Sequence, residues 1–139
     1  MTIMSKLKLS AIELAKKIHQ GETTSVELTQ QALDVIAATD DRVNAYISVT
    51  ADLALEKAAE VDKRIKAGDI RSPLAGIPIG IKDNLCLKGT KTTCASTMLK
   101  NFVSPYTATA VQRILDADLI PVGKCNMDEF AMGSSTEHR

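Results

Sequence analysis

Leu74-Ala75-Gly76-Ile77-Pro78-Ile79-Gly80-Ile81-Lys82-Asp83-Asn84 drives an apolar run straight into a lysine. Side chains along a strand alternate between its faces, so Ile77, Ile79 and Ile81 share one face and Pro78, Gly80 and Lys82 the other. The second face carries little bulk before the lysine, and glycine inside a strand commonly marks the close approach of another backbone or a ligand. An amine held in such a place and stripped of part of its hydration loses its preference for the ammonium form, which makes it a candidate general base. The plainer reading is a strand-end lysine that reaches water along its long stem.

Upstream the sequence reads as helical. Ser10-Ala11-Ile12-Glu13 has the form of a capping box, with a helix to about Gln20, a left-handed cap at Gly21, and Ala11, Leu14, Ala15 and Ile18 as its buried stripe. Thr24-Ser25-Val26-Glu27 repeats the device, and Leu28, Ala32, Val35, Ile36 and Thr39 keep helical spacing up to a break at Asp40-Asp41. Tyr46 to Val49 permits a short extended piece. A third helix begins near Ala51 and ends before Gly68, burying Ala54, Ala58, Val61 and Ile65, with Glu60 to Arg64 and Asp62 to Lys66 as i,i+4 pairs. Its charged face is either a solvated surface or a surface for a partner.

Downstream, residues 85–93 read as an irregular loop directly after the lysine strand, where substrate contacts or a plain surface turn would both fit. Thr107 caps a helix through Asp116 with Ala108, Val111 and Leu115 inward, and Leu119 to Val122 is a second buried strand. Pro121 within it requires a bulge or an edge position. Strand, helix, strand at these spacings suggests a βαβ-type crossover, right-handed by rule. Asn126-Met127-Asp128-Glu129 has the N-x-x-E form and predicts a short helix to Met132 that delivers the loop 133–136.

The 139 residues hold 17 basic and 17 acidic side chains, so the chain lacks the electrostatic footprint of a dedicated nucleic-acid binder. Aromatics make up only 3%, which leaves alanine and aliphatic residues to fill the core. No segment has the form of a signal peptide or a membrane span, which points to a cytoplasmic protein. Cys86, Cys94 and Cys125 fit no zinc or thioredoxin spacing, so reduced thiols and no metal are expected. Gly123-Lys124 lacks the upstream glycine of a phosphate loop, the position five before Gly123 being Asp118, and no cofactor-binding residues are assigned. Ser134-Ser135 beside Gly133 looks like a nucleophile but has no local base, and His19 and His138 have no partner pattern.

Three ordered blocks carry a resemblance: residues 76–84, Thr92-Thr93-Cys94-Ala95-Ser96, and Gly123 through Glu137. Together they resemble the amidase signature hydrolases, and the run from Met127 to Glu137 is similar to the tRNA-dependent glutaminase subunits among them. The resemblance implies an α/β architecture: an N-terminal helical region over 1–70, then the first strands and helices of a large mixed-sheet core over 71–139, incomplete in this chain. It implies a serine nucleophile activated by a cis-serine and a lysine, with Lys82 as the lysine. The two serines belong to a Gly-Gly-Ser-Ser-Gly-Gly-Ser stretch that these 139 residues do not contain. His138 and Arg139 stand where the family pattern runs on with Asn-Ser, and Asp118 stands where glycine is common. Met132, Gly133, Ser134, Ser135 and Thr136 are implied at the active-site rim.

The resemblance further implies glutamine as substrate, a heterotrimer with subunits B and C whose small third member wraps around this one, and ATP and Mg at the partner subunit, which also holds the misacylated tRNA. Two rival readings stay open: an amidase signature enzyme acting on a simple amide without tRNA, and a non-catalytic fragment.

Overall fold

The computed structural model describes residues 8–135. Helix α1 (Ala11–His19) starts at the expected box: Ser10 Oγ accepts from the Glu13 amide and Glu13 Oε2 from the Ser10 amide. The hydrogen bonds that its carboxylate accepts from the Ser10 amide and hydroxyl hold Glu13 below its ordinary value. Leu14, Ala15 and Ile18 are buried, whereas Ala11, at the first turn, is exposed. Helix α2 (Ser25–Val43) has the same reciprocal cap at Thr24 and Glu27. It does not break at Asp40-Asp41. Asp40 instead serves its end, accepting from the Ala45 amide at 2.8 Å, and Asn44 at φ +52° closes the last turn.

Strand β1 (Tyr46–Val49) and helix α3 (Ala51–Lys66) follow, then strand β2 (Pro78–Lys82), helix α4 (Thr109–Asp116) and strand β3 (Ile120–Cys125). Two 3-10 turns lie at Thr97–Leu99 and Glu129–Ala131. The sheet order is β1-β3-β2, with β3 antiparallel to β1 and parallel to β2. The sheet thus draws one strand from before residue 70 and two from after it. The α/β class and mixed sheet expected from the sequence are those observed.

Pro121 lies in the central strand, and the bulge it requires is present. Pairing passes from Ile79 opposite Pro121 to Gly80 opposite Gly123, leaving Val122 as the extra residue. On the other edge the Thr50 amide donates to Val122 O at 2.9 Å and Thr50 Oγ1 to Pro121 O at 3.2 Å, so the freed carbonyls are satisfied. Small side chains let α3 sit close on the sheet: Ala54, Ala58 and Val61 pack with Leu33, Ile120 and Val122. Leu14, Ala15, Ile18 and Leu28 close over Ile77, and Ile81 packs with Leu87 and Val111 of α4. Thr107 does not cap α4, which starts two residues later; its hydroxyl accepts from the Lys88 amide at 3.0 Å and ties down the preceding loop.

The two sheet glycines are occupied from within. The ring of Tyr46 reaches from β1 across both, and a Cβ on Gly123 would stand 2.6 Å from Ser48 O and 2.8 Å from Tyr46 Cδ1. Burial raises the pKa of the Tyr46 phenol. Gly123→Ala is therefore expected to cost about 1–3 kcal/mol through overpacking of the sheet. Thermal unfolding of the full-length protein checks this, with Tyr46→Ala restoring the loss only if the ring is the obstacle.

The i,i+4 pairs expected on α3 give way to longer-range partners. Asp62 accepts from the Ser25 and Val26 amides at 2.8 and 3.0 Å, supplying the otherwise unpaired N-terminus of α2. Arg64 turns to Asp118, which is 1% exposed and also faces Lys57 at 3.4 Å and Arg71 at 4.0 Å. The hydrogen bond to Asp118 raises the Arg64 pKa. A buried helix end and a buried carboxylate both gain more from a partner than two solvated side chains do from each other.

Asp118 also takes the left-handed conformation, at φ +61°, that favours glycine at this turn. Asp118→Gly and Asp118→Ala both lose the ion pairs, but only glycine relieves the backbone. Asp118→Gly is expected to be more stable than Asp118→Ala by about 1 kcal/mol, read from their unfolding midpoints.

Candidate active site

Lys82 ends β2 and Cys125, its register partner, ends β3. These are the carboxyl ends of two parallel strands, the edge at which open α/β sheets place their ligands. A cavity of about 280 Å³ opens there, lined by Lys82, Asn126, Met127, Asp128, Ala131, Gly133 and Ser134. The lysine and two of the rim residues read from the sequence are thus brought together. Met132 is 84% exposed and does not line the cavity; Ser135 is exposed as well, and Thr136 lies outside the described residues. Lys82 itself is exposed, so within these residues it keeps its access to water.

The segment delivering the rim is not the helix read from N-x-x-E. Only Glu129–Ala131 forms a single 3-10 turn, with Phe130 at φ +50° and Ala131 at φ +59°. Asn126 is spent elsewhere, its Nδ2 donating to Asn44 O at 2.9 Å. Glu129 accepts from Ser96 Oγ at 2.8 Å in place of reaching back to a helix start. Gly133 is forced by space: a Cβ there would meet Asp128 Cγ at 2.5 Å.

The three sequence blocks form one contiguous hydrogen-bonded unit. The Asp83 amide donates to Cys125 O at 3.1 Å, and the Cys94 amide donates to Asp83 O at 3.1 Å. The Phe130 amide donates to Cys94 O at 2.9 Å, joining the second block to the third. Beneath them sits a feature that sequence reasoning misses. Lys124 and Asp83 are both 0% exposed and form an ion pair at 3.1 Å. Lys124 Nζ also donates to Lys91 O and Thr92 Oγ1, each at 3.2 Å. Asp83 Oδ2 accepts from the Thr93 amide at 3.1 Å and from the Thr93 hydroxyl. The available signal is a lysine in an otherwise apolar strand, Leu119 to Cys125, which a buried counter-ion must accompany.

The three thiols are free and differ in character. Hydrogen bonding, chiefly with Ser104, lowers the Cys86 pKa, whereas burial raises those of Cys94 and Cys125. His19 Nε2 donates to Ala75 O at 3.2 Å and links α1 to the approach of β2. Among the described residues no helix is long and apolar enough to cross a membrane.

Comparison with known proteins identifies the family and the fold. The amidase family model matches residues 27–139. The A subunit of glutamyl-tRNA(Gln) amidotransferase from Nostoc punctiforme is 53% identical over 126 residues, covering 91% of this chain and 26% of the relative. The protein of the same name from Agathobacter rectalis is 48% identical over 134 residues, covering 96% of this chain and 27% of the relative. Among solved structures, native peptide amidase from Stenotrophomonas maltophilia superposes with a TM-score of 0.83 at 37% identity, over 87% of this chain and 25% of that one. Fatty acid amide hydrolase shares the fold, with a TM-score of 0.85 at 24% identity over 94% of this chain and 23% of that one. The chain spans about a quarter of the length of the curated relatives it matches. It belongs to the amidase family.

Proposed function

We propose that this chain is the N-terminal part of a glutamine-hydrolysing amidase subunit that supplies ammonia to a tRNA-dependent amidotransferase, with Lys82 as the base of its serine relay. The observation that carries the reading is the position of Lys82: the end of β2, opening into the cavity that Gly133 and Ser134 border. A serine hydroxyl is a poor nucleophile until a base accepts its proton, and a neutral amine reached through a second hydroxyl meets that need. In the proposed step the nucleophilic oxygen bonds to the carboxamide carbon of glutamine while its proton passes through the relay serine to Lys82 Nζ. Collapse of the tetrahedral intermediate breaks the carbon–nitrogen bond, the proton returns to the departing nitrogen, and ammonia leaves an acyl-serine that water then hydrolyses. Both serines would come from the part of the protein beyond these residues, as would the cover that dries the cavity around Lys82.

Support for the tRNA-dependent reading over a simple amidase is the gap between two levels of likeness. Relatives named for glutamyl-tRNA(Gln) share about half of the aligned residues, against 37% for the peptide amidase. In this reading subunits B and C complete a heterotrimer, ATP and Mg act at the partner subunit, and either Glu-tRNA(Gln) or Asp-tRNA(Asn) receives the ammonia in the cytoplasm. The test is glutaminase turnover of the full-length protein, alone and with its co-purifying partners, against a panel of small amides. Preference for glutamine with stimulation by partners and misacylated tRNA is expected. Faster turnover of simple amides and indifference to partners would overturn the reading in favour of a free-standing amidase.

A further inference from the structure

Side chains alternate across a strand, and Cys125 Sγ lies over Gly80, on the face of β2 that also carries Lys82. Lys124 therefore projects from the opposite face, beside Ile81, its register partner. The Lys124–Asp83 pair lies under the strand end whose upper side bears Lys82, and it cannot reach the cavity. Resting on the reading of Lys82 as the base, we propose that Lys124 and Asp83 are positioning residues that fix the β2 end, and with it Lys82, relative to the cavity rim.

Asp83 is held through three hydrogen-bonded atoms and one ion-pair contact: its amide donates to Cys125 O, its carbonyl accepts from the Cys94 amide, Oδ2 accepts from Thr93, and Oδ1 faces Lys124 Nζ at 3.1 Å. Since Asp83 directly follows Lys82, these contacts fix the backbone from which the lysine projects. Lys124 donates to Lys91 O and Thr92 Oγ1 and pairs by charge with Asp83 Oδ1, and so clamps the loop after β2 onto β3. From that loop the order passes to the rim through the bond from the Phe130 amide to Cys94 O and through the bond from Ser96 to Glu129. Stability alone gives no reason for the arrangement. A buried ion pair is commonly no better than an apolar pair of similar size, and Ile81, Leu87 and Val111 offer an apolar setting beside it. What the pair supplies is direction, because the hydrogen bonds of Lys124 to Lys91 O and Thr92 Oγ1, those of Asp83 Oδ2 to Thr93, and the ion-pair contact at Oδ1 are met together in one geometry.

The test uses the full-length protein with glutamine, and compares wild type, Lys82→Ala and the double variant Lys124→Met/Asp83→Asn, which removes both charges at nearly constant volume. Ammonia release and thermal unfolding are both recorded. The double variant is expected to unfold near the wild-type temperature, with kcat about a hundredfold lower and KM for glutamine within about twofold. Wild-type kcat in a double variant of wild-type stability would overturn the proposal, as would a loss confined to KM. Should the double variant unfold, Thr92→Val replaces it: a lower kcat at unchanged KM supports the clamp, and an unchanged kcat overturns it. Lys82→Ala keeps the two claims apart. Full activity in that variant defeats the assignment of the base, whereas an inactive Lys82→Ala beside a fully active double variant defeats only the positioning role.

Discussion

Lys82→Ala in the full-length protein is expected to lower glutamine hydrolysis by about 10²–10⁴-fold, the range that a positioned general base contributes, while leaving the unfolding temperature where it was. Both halves follow from the same geometry. The side chain stands at the end of β2, exposed and bordering the cavity, so truncation removes nothing from the packed interior. The fold below is held by the packing of Ile81, Leu87 and Val111, which does not need the Lys82 amine. Ammonia release measured with excess glutamine reads the first half and a thermal melt the second. Near-normal turnover would remove the base from the mechanism. A large fall in unfolding temperature would mean that the lysine holds the strand end in place of serving chemistry there.

Lys124→Ala is expected to behave in the opposite way, costing about 3–5 kcal/mol of stability, because it leaves the Asp83 carboxylate buried without its counter-ion. Asp83 is 0% exposed, so water does not stand ready to replace the ammonium. Lys91 O and Thr92 Oγ1 lose a donor at the same time, which adds to the loss. Chemical denaturation or thermal melting of the full-length protein measures it. Removing both charges together is expected to recover most of the loss, since the cost lies in the orphaned charge and not in the missing attraction. A single variant that melts with wild type would show that solvent reaches Asp83.

These two lysines show what the sequence discloses and what it withholds. Lys82 is legible because the alternation of Ile77, Ile79 and Ile81 with Pro78 and Gly80 defines a strand, and because the residues after it match a motif. The bulge at Pro121 is legible for a similar reason: proline cannot donate in a ladder, so a buried strand containing it must break register. The reciprocal caps at Ser10 and Thr24 need only residues three apart. Lys124, by contrast, invites comparison only with a phosphate loop, which the missing upstream glycine excludes. Its partner Asp83 is 41 positions earlier, and nothing local reveals that β2 and β3 lie side by side. The same distance hides the roles of Asp62 and Arg64, whose local i,i+4 partners are plausible until the α2 N-terminus and Asp118 come within reach. The helix expected at Asn126 to Met132 fails for a further reason. Its pattern is a capping signal, but the glutamate is claimed by Ser96 from another block, and the backbone takes positive φ at Phe130 and Ala131.

In the proposed mechanism Lys82 starts a serine relay that passes through an acyl-enzyme. The most direct measurement is the intact mass of the full-length protein after rapid mixing with glutamine and acid quenching, for wild type and Lys82→Ala. A glutamyl adduct on a serine is expected in the wild type, forming within the first turnover, and in the variant it is expected to be absent or to form much more slowly. An adduct that forms equally fast without the lysine, or turnover with no covalent adduct on serine, would contradict it.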